Sequence, residues 1–223
     1  HHVFGVFQGC ADLATVARPA LSVVDGVMAM ESLGPTMGDP VEMDLIIAGR
    51  DLVAVDAVTS AVMGFEPMED GCIRAAAESG VGTADLSKIE VVGEPIAKVQ
   101  RQFKSAEEAM GEIPFPEGFQ LLMDEKACSG CKLTVIEVLL DVQKANQLDR
   151  AAGWTVIAGK LNELPANINK DRLLLVGPCT AKFRERGAFV EGCPPNNRDI
   201  CVGLKAMGID VVSGVARVEA LEE

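Results

Sequence analysis

Aromatic side chains are scarce in this sequence, which has no Tyr, one Trp and eight Phe among 223 residues. Aromatic residues make up only 4% of the chain, whereas hydrophobic residues make up 48% and charged residues 24%. This composition is close to that of ordinary globular proteins and excludes an intrinsically disordered chain. We therefore expect one or two folded domains whose cores are built from Val, Leu, Ile, Ala and Met.

Basic side chains are also few, since 20 Lys and Arg stand against 33 Asp and Glu. The formal net charge is −13, and the basic residues do not form a run. An acidic surface repels the phosphates of nucleic acids and the head groups of anionic lipids. The charge balance therefore argues against nucleic-acid binding and against docking on a membrane surface.

Long apolar segments and targeting signals are missing as well. No stretch reaches the ~18 uncharged apolar residues that a membrane-spanning helix needs. The N-terminal sequence HHVFGVFQGC has no basic segment followed by an apolar one, as a secretory signal would. We therefore expect a cytoplasmic protein. The first residue is His rather than Met, which we interpret as a sign of processing or of a longer parent chain.

Cysteine, in contrast, is well represented, at positions Cys10, Cys72, Cys128, Cys131, Cys179, Cys193 and Cys201. Disulfide-rich secreted proteins are shorter and have a higher density of cysteine, and an odd number of cysteines cannot pair completely within one chain. Reduced thiols, some of which bind a metal, are the better interpretation.

The hydrophobic pattern predicts two α/β segments separated by a charged segment with Pro and Gly at residues 104–118, which we interpret as a linker. In the first segment, residues 1–103, the pattern predicts strands at 20–24, 43–49 and 88–93, a Gly/Pro-rich loop at 30–40, and helices at 51–63 and 69–79. In the second segment, residues 119–223, it predicts strands at 119–125, 154–160, 172–177 and 209–215, and helices at 132–150 and 196–207. The expected fold is α/β with two subdomains. The second is a small, mostly parallel sheet with flanking helices and a cysteine cluster at its carboxyl edge.

Four cysteines of the second segment follow predicted strands or lie in Gly/Pro turns: Cys128 and Cys131 in ACSGC, Cys179 in VGPC and Cys193 in GCPP. Loops that follow parallel strands meet at the carboxyl edge of the sheet, so three loops can deliver four thiolates to one point. Four thiolates bind zinc or an iron–sulfur cluster, and the long spacing between the last three favours a cluster over paired zinc knuckles. A dithiol of the thioredoxin type and unligated thiols stay open as alternatives.

The motifs ACSGC, LLLVGPC and FVEGCPPN, in this order, resemble the proximal-cluster region of nickel–iron hydrogenase small subunits and the related cluster-bearing subunit of respiratory complex I. The resemblance covers roughly residues 119–205. It implies that Cys128, Cys131, Cys179 and Cys193 hold one [4Fe–4S] cluster. Hydrogenase small subunits carry a Glu two residues after the second cysteine, where this chain has Leu133. This difference argues against docking to a nickel–iron subunit.

The first segment resembles a different family. The motif VDG, the loop GPTMG and the helix AVDAV are similar to the C-terminal half of a large uncharacterised family of iron–sulfur centre proteins, domain of unknown function 362. The resemblance covers about residues 13–103. The N-terminal half of that family is not represented in the sequence, and the family has no settled activity to transfer.

The function that we predict is electron transfer through a single [4Fe–4S] cluster in an anaerobic cytoplasm, with a redox partner protein. Two alternatives stay open: a cluster-dependent oxidoreductase with a substrate site at the Asp25–Gly38 loop, and an interaction module with a structural zinc site made of four cysteines. Asp56 is a candidate functional carboxylate, because it interrupts an apolar helix where an unpaired charge is costly. Cys10, Cys72 and Cys201 are predicted to be buried thiols rather than ligands.

Lys182, Arg184 and Arg186 form a small basic patch between two of the predicted ligand cysteines. Such a patch could offset the charge of a cluster or contact an acidic redox partner. Ordinary solvated charges explain the three residues equally well, and the sequence leaves open whether the protein is an enzyme and what its oligomeric state is.

Overall fold

A computed structural model of the chain describes residues 5–34, 37–123 and 129–212. The chain forms two compact units, residues 1–109 and residues 110–223, so that the boundary falls within the segment 104–118. The first unit contains a two-stranded antiparallel sheet and the second a four-stranded parallel sheet, both with helices against them. The α/β class predicted from the sequence is therefore confirmed. None of the helices in the described ranges is both long enough and apolar enough to cross a bilayer.

The regular elements of the first unit are, in chain order, α1 (Val6–Val16), β1 (Ser22–Leu33), β2 (Met37–Gly49), α2 (Leu52–Val62), α3 (Gly71–Glu78), α4 (Ile96–Val99) and α5 (Ala106–Gly111). Short 3-10 helices lie at Pro67–Glu69 and Leu86–Lys88. The predicted helices at 51–63 and 69–79 are confirmed as α2 and α3. The predicted strand at 88–93 is wrong, because this segment leaves a 3-10 helix and then forms no ladder. Helix α1 is not among the predicted elements.

The hairpin of β1 and β2 is longer than predicted and runs into the expected loop at 30–40 from both sides. Of that loop, residues 35 and 36 lie outside the described residues. The pair Asp25-Gly26, a turn signal in the sequence, marks a register shift between Gly26 and Met28 instead of the end of the strand. The N–H of Val27 donates to Oδ1 of Asp25 at 3.0 Å. The Asp side chain and the glycine thus produce a bulge inside the strand, beyond which pairing resumes.

One face of this hairpin is covered by α2, and the other is exposed. The exposed face carries several large apolar side chains: Val23, Val27, Met28, Met30 and Ile46. An isolated two-stranded sheet is only marginally stable in water. The hairpin therefore depends on its packing against α2 for stability.

Small side chains form the core beneath the helices of the first unit. The buried cluster consists of Ala11, Val53, Ala57, Ile73, Ala76, Val81 and Ala84. Its members come from α1, α2, α3 and the segment after α3, and none of them is aromatic. This agrees with the aliphatic core expected from the composition.

Asp51 joins the start of α2 to the segment that follows α3. Its Oδ1 accepts hydrogen bonds from the N–H groups of Val53 and Ala54, at 2.9 and 3.1 Å. Asp51 is therefore the N-cap of α2. Its Oδ2 accepts a further bond from the N–H of Thr83 at 3.0 Å. A Cβ atom at Gly82 would overlap the Asp51 carboxylate. The segment after α3 can therefore approach the start of α2 only because residue 82 is glycine.

The regular elements of the second unit are β3 (Gln120–Met123), α6 (Ser129–Lys144), β4 (Thr155–Ala158), β5 (Leu173–Val176), β6 (Ala188–Val190) and α7 (Asn197–Leu204). Their 3-10 helices lie at Leu148–Ala151, Lys170–Arg172, Pro178–Arg186 and Lys205–Met207. The strands pair in parallel in the order β3-β4-β5-β6. Strand β6 is not among the predicted elements. The strand predicted at 209–215 is wrong for residues 209–212, and residues 213–215 lie outside the described ranges.

The middle of the parallel sheet is completely buried. Every residue of β4 and β5 is buried, as the continuous apolar run LLLV predicts for a strand covered on both faces. On one face, Ile157, Leu173 and Leu175 form a cluster with partly buried Leu and Phe side chains. On the other face, Gly203 allows α7 to lie directly against Leu174 and Val190. The sheet is therefore a rigid base for the loops at its carboxyl edge.

Replacing Asp51 tests the link between α2 and the segment after α3. We expect Asp51→Ala to lower the free energy of unfolding by about 1–3 kcal/mol, because three backbone N–H groups lose their acceptor. Asp85→Ala is the matched control, since Asp85 caps the short 3-10 helix at Leu86–Lys88 from an exposed position. Urea unfolding followed by circular dichroism measures both. Equal effects of the two substitutions would contradict the role given to Asp51.

Candidate functional site

The predicted ligand cysteines belong to segments that follow β3, β5 and β6. Parallel pairing places the carboxyl ends of these strands at one edge of the sheet. Cys131 is buried in the first turn of α6, Cys179 is half-buried in the 3-10 helix after β5, and Cys193 is exposed in the loop after β6. Cys128 lies outside the described residues. The structure thus describes three of the four predicted ligands.

The first turn of α6 lies against the turn that follows β5. A Cβ atom at Gly177 would lie 3.5 Å from Sγ of Cys131, which is van der Waals contact distance. Gly177 has a φ of +80°, a conformation that favours glycine. Its N–H donates to the carbonyl oxygen of Val190 at 2.9 Å, which ties this turn to the end of β6. The segment that leads to Cys179 is therefore held against both Cys131 and β6.

Thr180 fixes the backbone around Cys179. Its hydroxyl and its N–H both donate to the carbonyl oxygen of Gly177, at 2.9 and 3.0 Å. The side chain of Thr180 is completely buried, so water does not compete for these bonds. Cys179 therefore lies in a turn closed by two hydrogen bonds.

The loop after β6 packs on the same turn of α6. A Cβ atom at Gly130 would lie 2.9 Å from Cγ of Pro194, so that the proline ring rests on the backbone of the CSGC motif. A Cβ atom at Gly192 would lie 2.6 Å from Cα of Pro195, which is buried. Farther along, Nδ2 of Asn197 donates to Oε2 of Glu137 at 3.3 Å and joins the start of α7 to α6. The three cysteine-bearing segments thus contact one another through glycine and proline.

The chemistry of these side chains fits a thiolate-bound metal centre, because cysteine sulfur is the ligand of both iron–sulfur clusters and structural zinc. Among the described residues, however, no three Cys, His, Asp or Glu side chains are arranged to hold a metal ion. The structure therefore brings together the backbone segments that carry Cys131, Cys179 and Cys193, and it does not present their thiols as a formed site.

Cys10 and Cys72 are not the buried thiols that the sequence predicts. Cys10 is exposed on α1, Cys72 is half-buried at the second position of α3, and the two side chains interact directly. The sequence does not reveal this pairing, because its pattern does not predict α1. Cys201 is buried on α7, as expected.

Asp56 does not interrupt the buried face of α2, as the sequence suggests. Val53, Ala57 and Val58 are among the six buried residues of α2, and Asp56 lies on the exposed side of the helix. Partial desolvation of the carboxylate, together with the negative charge of the nearby Asp70, raises the pKa of Asp56 above its ordinary value. The carboxylate is therefore a surface group in an unfavourable electrostatic environment rather than a buried catalytic acid.

The substrate loop predicted at Asp25–Gly38 is, in its described part, mostly strand. Two cavities of the first unit have volumes of about 620 Å³ and about 500 Å³. The larger one lies beside the segment 82–87, and the smaller one lies between β2, α2 and the segment 89–99. Neither is lined by Asp25 or Asp56. These two cavities therefore do not support a substrate site built around Asp25 or Asp56, as the oxidoreductase alternative would require.

Comparison with known proteins gives matches to part of the chain. Residues 5–61 match the family described as domain of unknown function (DUF362), a shorter range than the 13–103 expected from the sequence. A thylakoid-associated protein of Synechocystis sp. is 39% identical over 56 residues, which is 25% of this chain. The chain covers only 17% of that relative's length. No solved structure matches the chain significantly. The resemblance of the second segment to hydrogenase small subunits receives no support from these comparisons.

The contact between Gly130 and Pro194 can be tested by adding a single methyl group. We expect Gly130→Ala to lower the free energy of unfolding by about 1–3 kcal/mol relative to Gly111→Ala. Both glycines lie in the terminal turn of a helix, but a Cβ atom at Gly111 meets nothing within 4 Å. Chemical denaturation measures the difference. A loss equal to that of the control would show that Pro194 does not pack on the CSGC turn.

The pKa shift of Asp56 predicts a pH-dependent effect of removing its charge. Because the pKa is raised in the folded state, the ionised carboxylate destabilises the fold as the pH rises through that pKa. At low pH the group is protonated in both folded and unfolded chains and costs nothing. We expect Asp56→Asn to raise the melting temperature at pH 7 and to leave it unchanged near pH 3. Asp39→Asn, on an exposed part of β2, controls for the loss of one negative charge. A stabilisation that does not vary with pH would contradict the prediction.

Proposed function

We propose that the second unit binds a single [4Fe–4S] cluster through Cys128, Cys131, Cys179 and Cys193, and that it transfers electrons to a partner protein in the cytoplasm of an anaerobe. The observation that carries the proposal is the mutual contact of the three described cysteine-bearing segments at the carboxyl edge of the parallel sheet. When bound, the cluster would supply reversible one-electron transfer.

The protein contributes donors and a backbone that are suited to this task. Cys131 lies in the first turn of α6, where backbone N–H groups have no partner within the helix and favour a thiolate. Gly130 leaves room for Pro194 beside this turn, and Gly177 supplies the positive φ with which the chain turns after β5. In the described part of the chain, each segment has contacts of its own, which fix the backbone that carries Cys131, Cys179 and Cys193.

Burial around Cys131 also favours a group that is sensitive to water. Cys131 is only 5% exposed, and the first turn of α6 is covered by Pro194. Proline has no N–H and limits the freedom of the loop that carries Cys193. One side of the proposed site is therefore shielded from solvent, whereas Cys193 stays on the outside. This asymmetry suits a centre that exchanges electrons at the surface.

The basic patch beside Cys179 is the surface to which we assign the partner. Lys182, Arg184 and Arg186 are all exposed on the 3-10 helix that begins at Pro178. Nζ of Lys182 donates to the carbonyl oxygen of Asn162 at 2.8 Å, which orders the start of the patch. On a protein with a net charge of −13, a local positive patch would orient an acidic partner toward this edge of the sheet.

Single substitutions of the cysteines test the ligand assignment. We expect Cys131→Ala, Cys179→Ala and Cys193→Ala, together with Cys128→Ala, each to abolish or convert the cluster, since each removes one thiolate. Iron content and low-temperature electron paramagnetic resonance of the anaerobically purified chain measure this. The control is Cys201→Ala, because Cys201 lies eight residues after Cys193 but is buried on α7.

Two outcomes would overturn the assignment. One is an unchanged resonance signal in Cys193→Ala, and the other is loss of the signal in Cys201→Ala alone. Stoichiometric zinc in place of iron in the unsubstituted protein would show that the thiols form a structural zinc site, in which case metal removal should unfold the second unit.

A further inference from the structure

Helices α1 and α3 of the first unit pack closely against each other. Phe7 on α1 lies against the backbone of Gly71, where a Cβ atom would overlap the phenyl ring. Ala11 and Ile73, from the same two helices, belong to one buried cluster. Cys10 lies three residues after Phe7 and therefore on the same face of α1. Cys72 follows Gly71 directly, so the packing brings both cysteines to the contact between the helices.

The two thiols at this contact are close enough to interact with each other, and they do not form a disulfide. The pKa of Cys72 is raised to about 11, chiefly by burial and further by Cys10 and the carboxylates of Asp70 and Asp56. Asp70 is itself held in place, since its Oδ1 caps α3 by accepting the N–H groups of Cys72 and Ile73 at 2.8 and 2.9 Å. Among the described residues, no three Cys, His, Asp or Glu side chains are arranged to hold a metal ion, and those around Cys72 are no exception.

We propose that Cys10 and Cys72 form a site of reversible thiol–disulfide exchange with low-molecular-weight disulfides, whose oxidised product is a disulfide that joins α1 to α3. The site lies within the first unit and does not depend on a cluster in the second.

Exposure assigns a different role to each cysteine. Cys10 is open to solvent, so its thiolate attacks one sulfur of the small disulfide RSSR, breaks the S–S bond and releases RS⁻. The thiolate of Cys72 then attacks Sγ of Cys10 in the mixed disulfide and displaces the second RS⁻. The leaving thiolates take up the two protons that the protein thiols lose. In total, two protein thiols and RSSR give one protein disulfide and two RSH, so the small disulfide accepts both electrons.

The second step should depend strongly on pH. The groups that face Cys72 are Cys10 from α1, Asp56 from α2 and Asp70 from the N-cap of its own helix, and the carboxylates disfavour the thiolate. Cys72 therefore supplies little thiolate at neutral pH. We expect the rate of disulfide closure to rise about tenfold for each pH unit between pH 7 and pH 9.

Disulfide closure can be read directly from peptide masses. The full chain, purified without oxygen, is incubated with oxidised glutathione, and the unreacted thiols are then blocked by alkylation before digestion with trypsin. The peptides 1–50 and 51–74 each contain a single cysteine, Cys10 and Cys72, because the Arg18-Pro19 bond resists cleavage. We expect a cross-linked pair of these peptides that dithiothreitol separates. The melting temperature of the first unit should rise by on the order of 10 °C, since the link closes a long loop.

Variants separate this site from nonspecific oxidation. In Cys72→Ser the reaction should stop at glutathione bound to Cys10, whereas in Cys10→Ser the thiol of Cys72 should stay available for alkylation. Cys201→Ser, which removes a buried thiol of the other unit, should give the same cross-link as the unsubstituted chain. Circular dichroism checks that each variant is folded. Glutathione that stays on Cys10 of the unsubstituted chain at pH 9 without a cross-link would overturn the proposal, and so would equal reactivity of Cys72 when Cys10 is absent.

Discussion

The close contact between the first turn of α6 and the turns after β5 and β6 is the constraint on which the second unit depends. A parallel sheet brings the loops after its strands to one edge, but it does not by itself bring them into contact. Here Gly130 lacks the side chain that would overlap Pro194, and Gly177 adopts the positive φ of the turn that approaches Cys131. The buried strands β4 and β5 hold the edge in place, so the positions of Cys131, Cys179 and Cys193 follow from the packing of the sheet.

The sequence predicts those elements that carry their own local signals. The apolar run of β5, the Asp51 cap of α2 and the Gly208 that ends the chain's last described helical turn are all local, and the elements they mark are present. The length of the β1–β2 hairpin could not be predicted in the same way. Gly38 and Pro40 favour a loop when only the local sequence is considered. In the structure both residues lie in β2, which tolerates them because a strand of a two-stranded sheet has one unpaired edge. Strand β6 is only three residues long, which is too short for a periodic pattern to be recognised.

The candidate sites show the same division between local and long-range information. The placement of the second-unit cysteines after strands was predictable from Gly and Pro beside them. The proximity of Cys10 to Cys72 was not predictable. It depends on the packing of α1 on α3, two helices that are far apart in the sequence and meet through small side chains. For Asp51, the cap was predictable from the sequence, but the bond to the N–H of Thr83 was not. The exposure of Asp56 differs from the prediction because the six buried residues of α2 leave one side of the helix to solvent, and Asp56 lies on that side.

The two units thus place thiols in different settings. In the second unit, cysteines lie on segments fixed by glycine and proline at a sheet edge, which suits a permanent ligand. In the first, a pair of cysteines lies between two surface helices, which suits reversible chemistry. The measurement that tests the central claim most directly is the iron, acid-labile sulfide and zinc content of the chain purified without oxygen. The account predicts a brown protein with about four iron and four sulfide per chain that bleaches in air. A colourless protein that contains one zinc and no iron would contradict it.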